Sequence, residues 1–363
     1  MKKVFFKIEP FIKYFLIFIF FLFWNIIIQP INLDEIWNYG FAYNIYEGLI
    51  PYKDFNMVLT PFYPMVISFF FMLFGSNLLV MHIVNSLLIT FMLWLIEKIL
   101  KLNICVFVLI LCFPLSVAFP SYNLFLLFLF VLIICLEKNN KSDFVIGVIL
   151  GIFILTKQSV GVCLALPSIY YLFFDSKKFL KRILGIFIPC IIFLLYLLFT
   201  GSLYYFFDLC LFGMFDFVGE NGKVFNIFFF LILIMVGFVF YKIKKDPRNI
   251  SNYYVLLFSS ITLPLFDINH FEYFLFVFLI LFLDNINVRK KELAFCSILF
   301  SIFYIGIFFT YSVGFNVVYP NHYNNFSFRL LYNGNGEFSI RDRLNRYIND
   351  NIDKDIVLLG SEA

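Results

Sequence analysis

The chain has 363 residues, of which 63% are apolar and 14% charged, with 57 Phe and a formal net charge of +4. No water-soluble core of this length needs so much apolar surface, and the apolar residues come in repeated long runs, so the composition points to an all-helical polytopic membrane protein. The modest positive charge sits in short segments between those runs, which excludes a nucleic-acid-binding surface.

In chain order, apolar runs fall near 11–29, 61–74, 78–96, 103–119, 124–136, 143–156, 159–174, 183–200, 225–241, 252–266, 273–286 and 293–311. The first has no small-residue cleavage site and leads through Trp24, Asn25 and Gln29 into acidic sequence, so it reads as a retained anchor. The run 61–74 is short and starts among prolines, which suits a re-entrant or surface helix better than a crossing. If it does not cross, the basic residues of 2–13, 98–101, 138–141, 177–182, 242–248 and 289–291 all share one side. The loops on the other side hold only Lys53, Lys157 and Lys223. A crossing at 61–74 would destroy that asymmetry. The positive-inside rule therefore selects eleven spanning helices plus one non-crossing helix, with the basic side cytoplasmic. Residues 1–311 form the membrane domain, and 312–363 form a short outer tail with a helix at 340–348 and a strand at 355–360.

Six cysteines lie inside apolar runs and Cys210 lies in the loop 201–224; none has CxxC spacing, so all read as small hydrophobes. That loop carries Tyr204, Phe207, Leu211 and Phe215 at helical spacing and is expected to lie on the membrane surface.

Polar chemistry gathers on the outer side. Asp34 and Glu35 follow the first apolar run, among Trp37, Tyr39, Tyr43 and Tyr46. A partly desolvated carboxylate there can act as a general base, whereas in a solvated turn it would merely begin a helix. The same stretch holds Lys53 and Asp54. Lys157, with Gln158, runs against the charge rule and suits a phosphate; the competing reading is a snorkelling surface lysine. His270, between Asp267 and Glu272, is a candidate phosphate donor or metal ligand, and His82 opens another helix on the same side. There is no Walker A loop, dinucleotide fingerprint, HExxH or GxSxG motif. No cytosolic domain is available for a nucleotide-linked donor, so a substrate already in the membrane is expected.

Asp34-Glu35, then Tyr43 to Gly48, Pro51-Tyr52-Lys53-Asp54-Phe55, and Pro61 to Pro64 leading to Phe74-Gly75 form a series. It is joined by Gly147, Gly151, Leu155-Thr156-Lys157-Gln158-Ser159 and Ala165-Leu166-Pro167, and by His270 with Tyr273. This series resembles the GT-C glycosyltransferase superfamily. More narrowly, it is similar to bacterial relatives of protein O-mannosyltransferase and aminoarabinose transferase. The resemblance spans roughly residues 10–350. It implies a membrane-embedded inverting transferase of the bacterial plasma membrane, with its site on the extracytoplasmic face and a polyprenyl-phosphate-linked sugar as donor. The implied acceptor is a hydroxyl of a protein, a lipid or a cell-wall glycan.

By that resemblance Asp34 is the catalytic base and Glu35 its partner. Lys53, Asp54, His82, Asn123, Lys157, Gln158, His270 and Tyr273 are candidate substrate-binding residues. Asn123 stands where many members carry a second acid. Some members hold a divalent metal with a first-loop Glu and an outer His, while others need none; no metal ligand is assigned here. The rival readings are a lipid-linked-sugar flippase or transporter, and a polysaccharide ligase or polymerase. A transporter would place polar residues midway along several helices, and a ligase or polymerase a late basic outer loop; neither pattern is present. A non-catalytic scaffold would leave Asp34-Glu35 unexplained.

Overall fold

The computed structural model describes residues 2–27, 33–100, 119–139, 141–213, 215, 227–263 and 266–284. The chain divides into two units, Met1–Ser301 and Ile302–Ala363, and every described residue belongs to the first. The expected tail helix and strand, the run 293–311, and the run 103–119 apart from Phe119 lie outside the described residues.

Among the described residues the structure is helical, with no strand and one isolated bridge between Pro51 and Phe55. The helices are α1 (Lys2–Ile27), α2 (Leu33–Tyr46), α3 (Phe62–Phe74), α4 (Leu78–Leu100), α5 (Tyr122–Lys138) and α6 (Asp143–Ile154). They continue with α7 (Gln158–Ala165), α8 (Tyr170–Phe174), α9 (Ser176–Thr200), α10 (Leu203–Phe206), α11 (Ile227–Lys245), α12 (Ile250–Phe258) and α13 (Ile268–Asp284). Among the described residues, three segments are long and apolar enough to cross a membrane: Leu78–Lys98, Ser176–Thr200 and Ile227–Lys245. The run 159–174, read as one segment, is divided: a 3-10 turn over Leu166–Ile169, carrying Pro167, separates α7 from α8. Proline removes a backbone donor there and tightens the turn.

The helices connect two polar ends. At one end, α5 starts beside Asp34 and α6 finishes next to Lys157. At the other, the buried Arg182 of α9 is held by three helices. Its Nε and Nη2 donate to Asp143 Oδ1 at 2.9 and 2.7 Å. Its Nη1 and Nη2 donate to Glu137 at 2.6 and 3.0 Å, and Nη1 also donates to the Tyr254 hydroxyl at 2.9 Å. The Tyr171 ring lies 4.2 Å from the guanidinium. On the sequence Arg182 belongs to a solvated basic loop with Lys177, Lys178 and Lys181. Instead α9 begins at Ser176, with Asp175 capping Lys178 N at 3.2 Å, and Arg182 faces inward. Burial is tolerated because a bidentate carboxylate and a second acid satisfy the charge.

Glycines let α6 and α9 approach. A Cβ on Gly147 would lie 2.2 Å from the Arg182 carbonyl oxygen, and one on Gly151 would lie 2.4 Å from Pro189 Cγ. This GxxxG spacing gives the flat face on which membrane helices pack closely. It also carries Asp143 to Arg182.

α3 stays at the Asp34 end. Just before it, Thr60 Oγ1 donates to Ile154 O at 3.0 Å, and Phe62 N donates to Leu155 O at 3.0 Å. Just after it, Ser76 O accepts from the Tyr39 hydroxyl of α2 at 2.9 Å. Its 13 residues span only about 20 Å. The stretch before α3, read as a loop, is helical over Leu33–Tyr46, because Glu35, Asn38 and Ala42 form one buried face. Cys210, also read as a loop residue, is fully buried in the helical turn Phe207–Phe212, next to Tyr52. The opposite face of that segment, with Tyr204, Phe207 and Phe215, is exposed.

Substitution Arg182→Met would strand Glu137 and Asp143. It is expected to lower unfolding stability in detergent by about 3–5 kcal/mol. Lys181→Met, on the exposed neighbour, is expected to change it by less than about 0.5 kcal/mol. Denaturant titration of the two variants checks the contrast.

Candidate active site at the Asp34 end of the bundle

Asp34 and Glu35 occupy the first turn of α2, where carboxylates are favoured by the exposed N–H groups and the helix dipole. Consecutive helix positions are rotated by about 100°, so the two acids point to different neighbours. Asp34 is partly buried. Its Oδ2 accepts from Asn123 Nδ2 at 3.1 Å and its Oδ1 from the Tyr122 hydroxyl at 3.4 Å. Asn123 Oδ1 in turn accepts from Lys157 Nζ at 3.5 Å, and that ammonium lies 5.5 Å from the centre of the Tyr122 ring. A single amide thus stands between the acid and the amine.

Local sequence explains these positions. Ser121 caps α5 by accepting from Leu124 N at 3.1 Å, so Tyr122 and Asn123 project from its first turn. Lys157 is the extended residue between α6 and α7. The hairpin is tight: a Cβ on Gly161 would lie 2.3 Å from Ile154 N. Asp267 precedes α13 and accepts from His270 N at 2.8 Å, while both its oxygens lie 2.9 Å from His270 Nδ1. One turn further on, the Tyr273 hydroxyl meets Ser121 Oγ at 3.1 Å and fixes α13 against the start of α5.

The charges of His270 and Lys157 act on Asp34. Burial raises the Asp34 pKa, and the Asp267 charge adds to that; His270, Lys157 and the Asn123 hydrogen bond pull it back, with a net upward shift. Burial lowers Lys157 to about 8, although Asp34 and Asp267 oppose the change. Burial also works to raise Asp267, but the hydrogen bonds and charge of His270 outweigh it, so this carboxylate is held below its ordinary value. The result is one carboxylate made more basic and a second kept ionised, with the Lys157 amine and the His270 imidazole nearby.

Of the residues singled out on the sequence, Asp34, Asn123, Lys157 and His270 come together, and Tyr273 braces them. The others do different work. Glu35 does not assist Asp34: its buried Oε1 is bonded to His82 Nε2 at 2.8 Å, tying α2 to α4. Lys53 donates to Thr200 O at 3.2 Å at an exposed position, and Asp54 Oδ2 accepts from Ile50 N at 2.7 Å within its own turn. Gln158 turns away from Lys157 and bonds the carbonyls of Val58 and Cys210 at 3.1 and 3.0 Å. Tyr122 and Asp267 were not singled out. Their signals were adjacency to Asn123 and the three-residue spacing to His270.

A divalent metal would need the first-loop acid and the outer histidine to converge. Here Glu35 is paired with His82 and His270 with Asp267, and no group of three His, Cys, Asp or Glu side chains gathers among the described residues. No protein-family model, curated protein or solved structure matches this chain.

Glu35→Leu and His82→Leu are each expected to cost about 1–3 kcal/mol, because each leaves a buried partner unsatisfied. The double variant is expected to cost less than the sum, giving a coupling of about 0.5–3 kcal/mol in a denaturation cycle. A protonated-carboxyl infrared band absent from Asp34→Asn is expected to titrate above the ordinary aspartate value of 3.8.

Proposed function

We propose that this chain is a membrane-embedded glycosyltransferase. It moves a sugar from a polyprenyl-phosphate donor to an acceptor hydroxyl at the outer face of a bacterial plasma membrane. The observation that carries the reading is the Asp34 carboxylate, partly buried, shifted toward higher basicity, and set near the Lys157 amine and the His270 imidazole. In the proposed step the acceptor oxygen attacks the anomeric carbon as its proton passes to Asp34. The bond from that carbon to the phosphate oxygen breaks, its electron pair leaves with the phosphate, and the anomeric configuration inverts. Lys157 and His270 stabilise the charge that grows on the phosphate, while Asn123 keeps the base and the ammonium apart.

The topology that accompanies this reading has eleven crossings, with α3 lying on the outer side. It is supported by the retention of α3 at the Asp34 end and by the basic residues around the opposite end. The exposed apolar face of Tyr204, Phe207 and Phe215 suits a membrane surface.

An Asp34→Asn chain that inserts at the parent level is expected to lose transfer by about 100-fold or more. The readout is accumulation of the polyprenyl-phosphate sugar in membranes; parent-level turnover by this variant would overturn the assignment. The pH profile should rise as Asp34 loses its proton, at a pH above the usual carboxylate range. Donor KM should rise above a pH of about 8, where Lys157 loses its charge. Lys157→Arg should extend that basic limb, since a guanidinium stays charged.

A further inference from the structure

The geometry of His270 makes it one half of a pair. Asp267 does two things at once: it caps α13 through the His270 backbone N–H, and it holds the imidazole through Nδ1. An ionised carboxylate can only accept, so Nδ1 must carry the hydrogen. The other ring nitrogen, Nε2, has no hydrogen-bond partner among the described residues. The ring is 9% exposed as a residue, and its charge reaches Asp34. Lys157, by contrast, is already engaged with Asn123 and the Tyr122 ring.

We propose that Asp267 is a positioning residue for anion binding: it fixes the His270 ring through Nδ1 so that Nε2–H of the protonated ring is presented to a lipid-linked phosphate group. The proposal rests on the transferase reading above and adds a residue to its site. With Nδ1–H bonded to the Asp267 carboxylate, Nε2 is the ring nitrogen left to meet a ligand, and in the protonated ring it donates. The Tyr273–Ser121 bond holds the pair against the start of α5, on the Asp34 side. As the leaving phosphate gains charge, a bond from the imidazolium strengthens more than one from a neutral donor. The bond is donated and no atom is transferred to the ring, so the reaction stays balanced without a further reagent.

The test uses the full chain in detergent and a sugar-free polyprenyl monophosphate as probe. Asp267→Asn is the informative variant, because asparagine caps a helix as well as aspartate but carries no charge. It should leave unfolding stability unchanged and weaken probe binding about tenfold or more, with His270→Gln doing the same. Equal binding by the parent and Asp267→Asn, or by the parent and His270→Gln, would overturn the proposal, because a purely structural cap predicts that equality. Competition by inorganic phosphate separates the two sources of the group. Displacement at similar concentration assigns the site to free phosphate, and displacement only at far higher concentration assigns it to the lipid; in both arms it is sensitivity to the two variants that supports the pair. Asp34→Asn should still bind the probe. If that variant also transfers sugar, the transferase reading fails while the binding result for Asp267 stands.

Discussion

A carboxylate taken out of water must find partners, and Asp34 finds them on three separate parts of the chain. Asn123 and Tyr122 come from the start of α5, Lys157 from the hairpin between α6 and α7, and His270 with Asp267 from the start of α13. In a chain so rich in apolar side chains, no alternative solvation is available along the helix flanks. The ionic groups therefore collect at helix ends, and the ends must meet for the charges to be satisfied. The Arg182 cluster obeys the same constraint at the opposite end, where Glu137, Asp143 and Tyr254 converge on one guanidinium. The apolar helices between the two clusters set their separation, and the glycine faces of α6 and α9 set how closely the pieces approach.

On the proposed function, the balance of charge at the Asp34 end favours an anionic substrate. Two carboxylates, the Lys157 amine and the His270 imidazole share a small region, and the Asp267–His270 contact uses Nδ1, so an added phosphate could meet Nε2 without breaking it. Asn123 is important to this balance. Its amide gives its nitrogen to the acid and its oxygen to the amine, and so prevents the direct contact that would quench both. An acid at this position would compete with Asp34 for the same lysine. On the proposed reaction, that separation is what keeps a base and a phosphate-binding cation available together.

Much of the site could be read from the chain without coordinates. Lys157 is conspicuous as a positive charge on the wrong side of the charge rule, and Asp34 as a carboxylate bordering the membrane. His270 was conspicuous for its acidic neighbours. Lys53 and Asp54 lie exposed and bonded to backbone, and Gln158 holds two carbonyls, so these three do not join the Asp34 cluster. Adjacency misled in the case of Glu35. Two acids side by side suggest a shared task, but helical rotation sends the second to His82. Arg182 misled in the opposite sense, because hydropathy cannot distinguish a solvated arginine from one buried between two carboxylates.

The sequence by itself determined the helical character and the long apolar segments, and it set the expectation that 61–74 does not cross. These follow from composition, run length and charge distribution, which are local or additive properties of the chain. Only the tertiary structure decided which polar residues meet. Asp34 and His270 lie far apart in sequence, and pairing over that distance depends on how each helix is rotated and where each turn tightens. A glycine at position 161, a serine cap at 121 and an aspartate at 267 set those rotations. They bring Asp34, Asn123, Lys157 and His270 into one site, and leave Glu35 bonded to His82 instead.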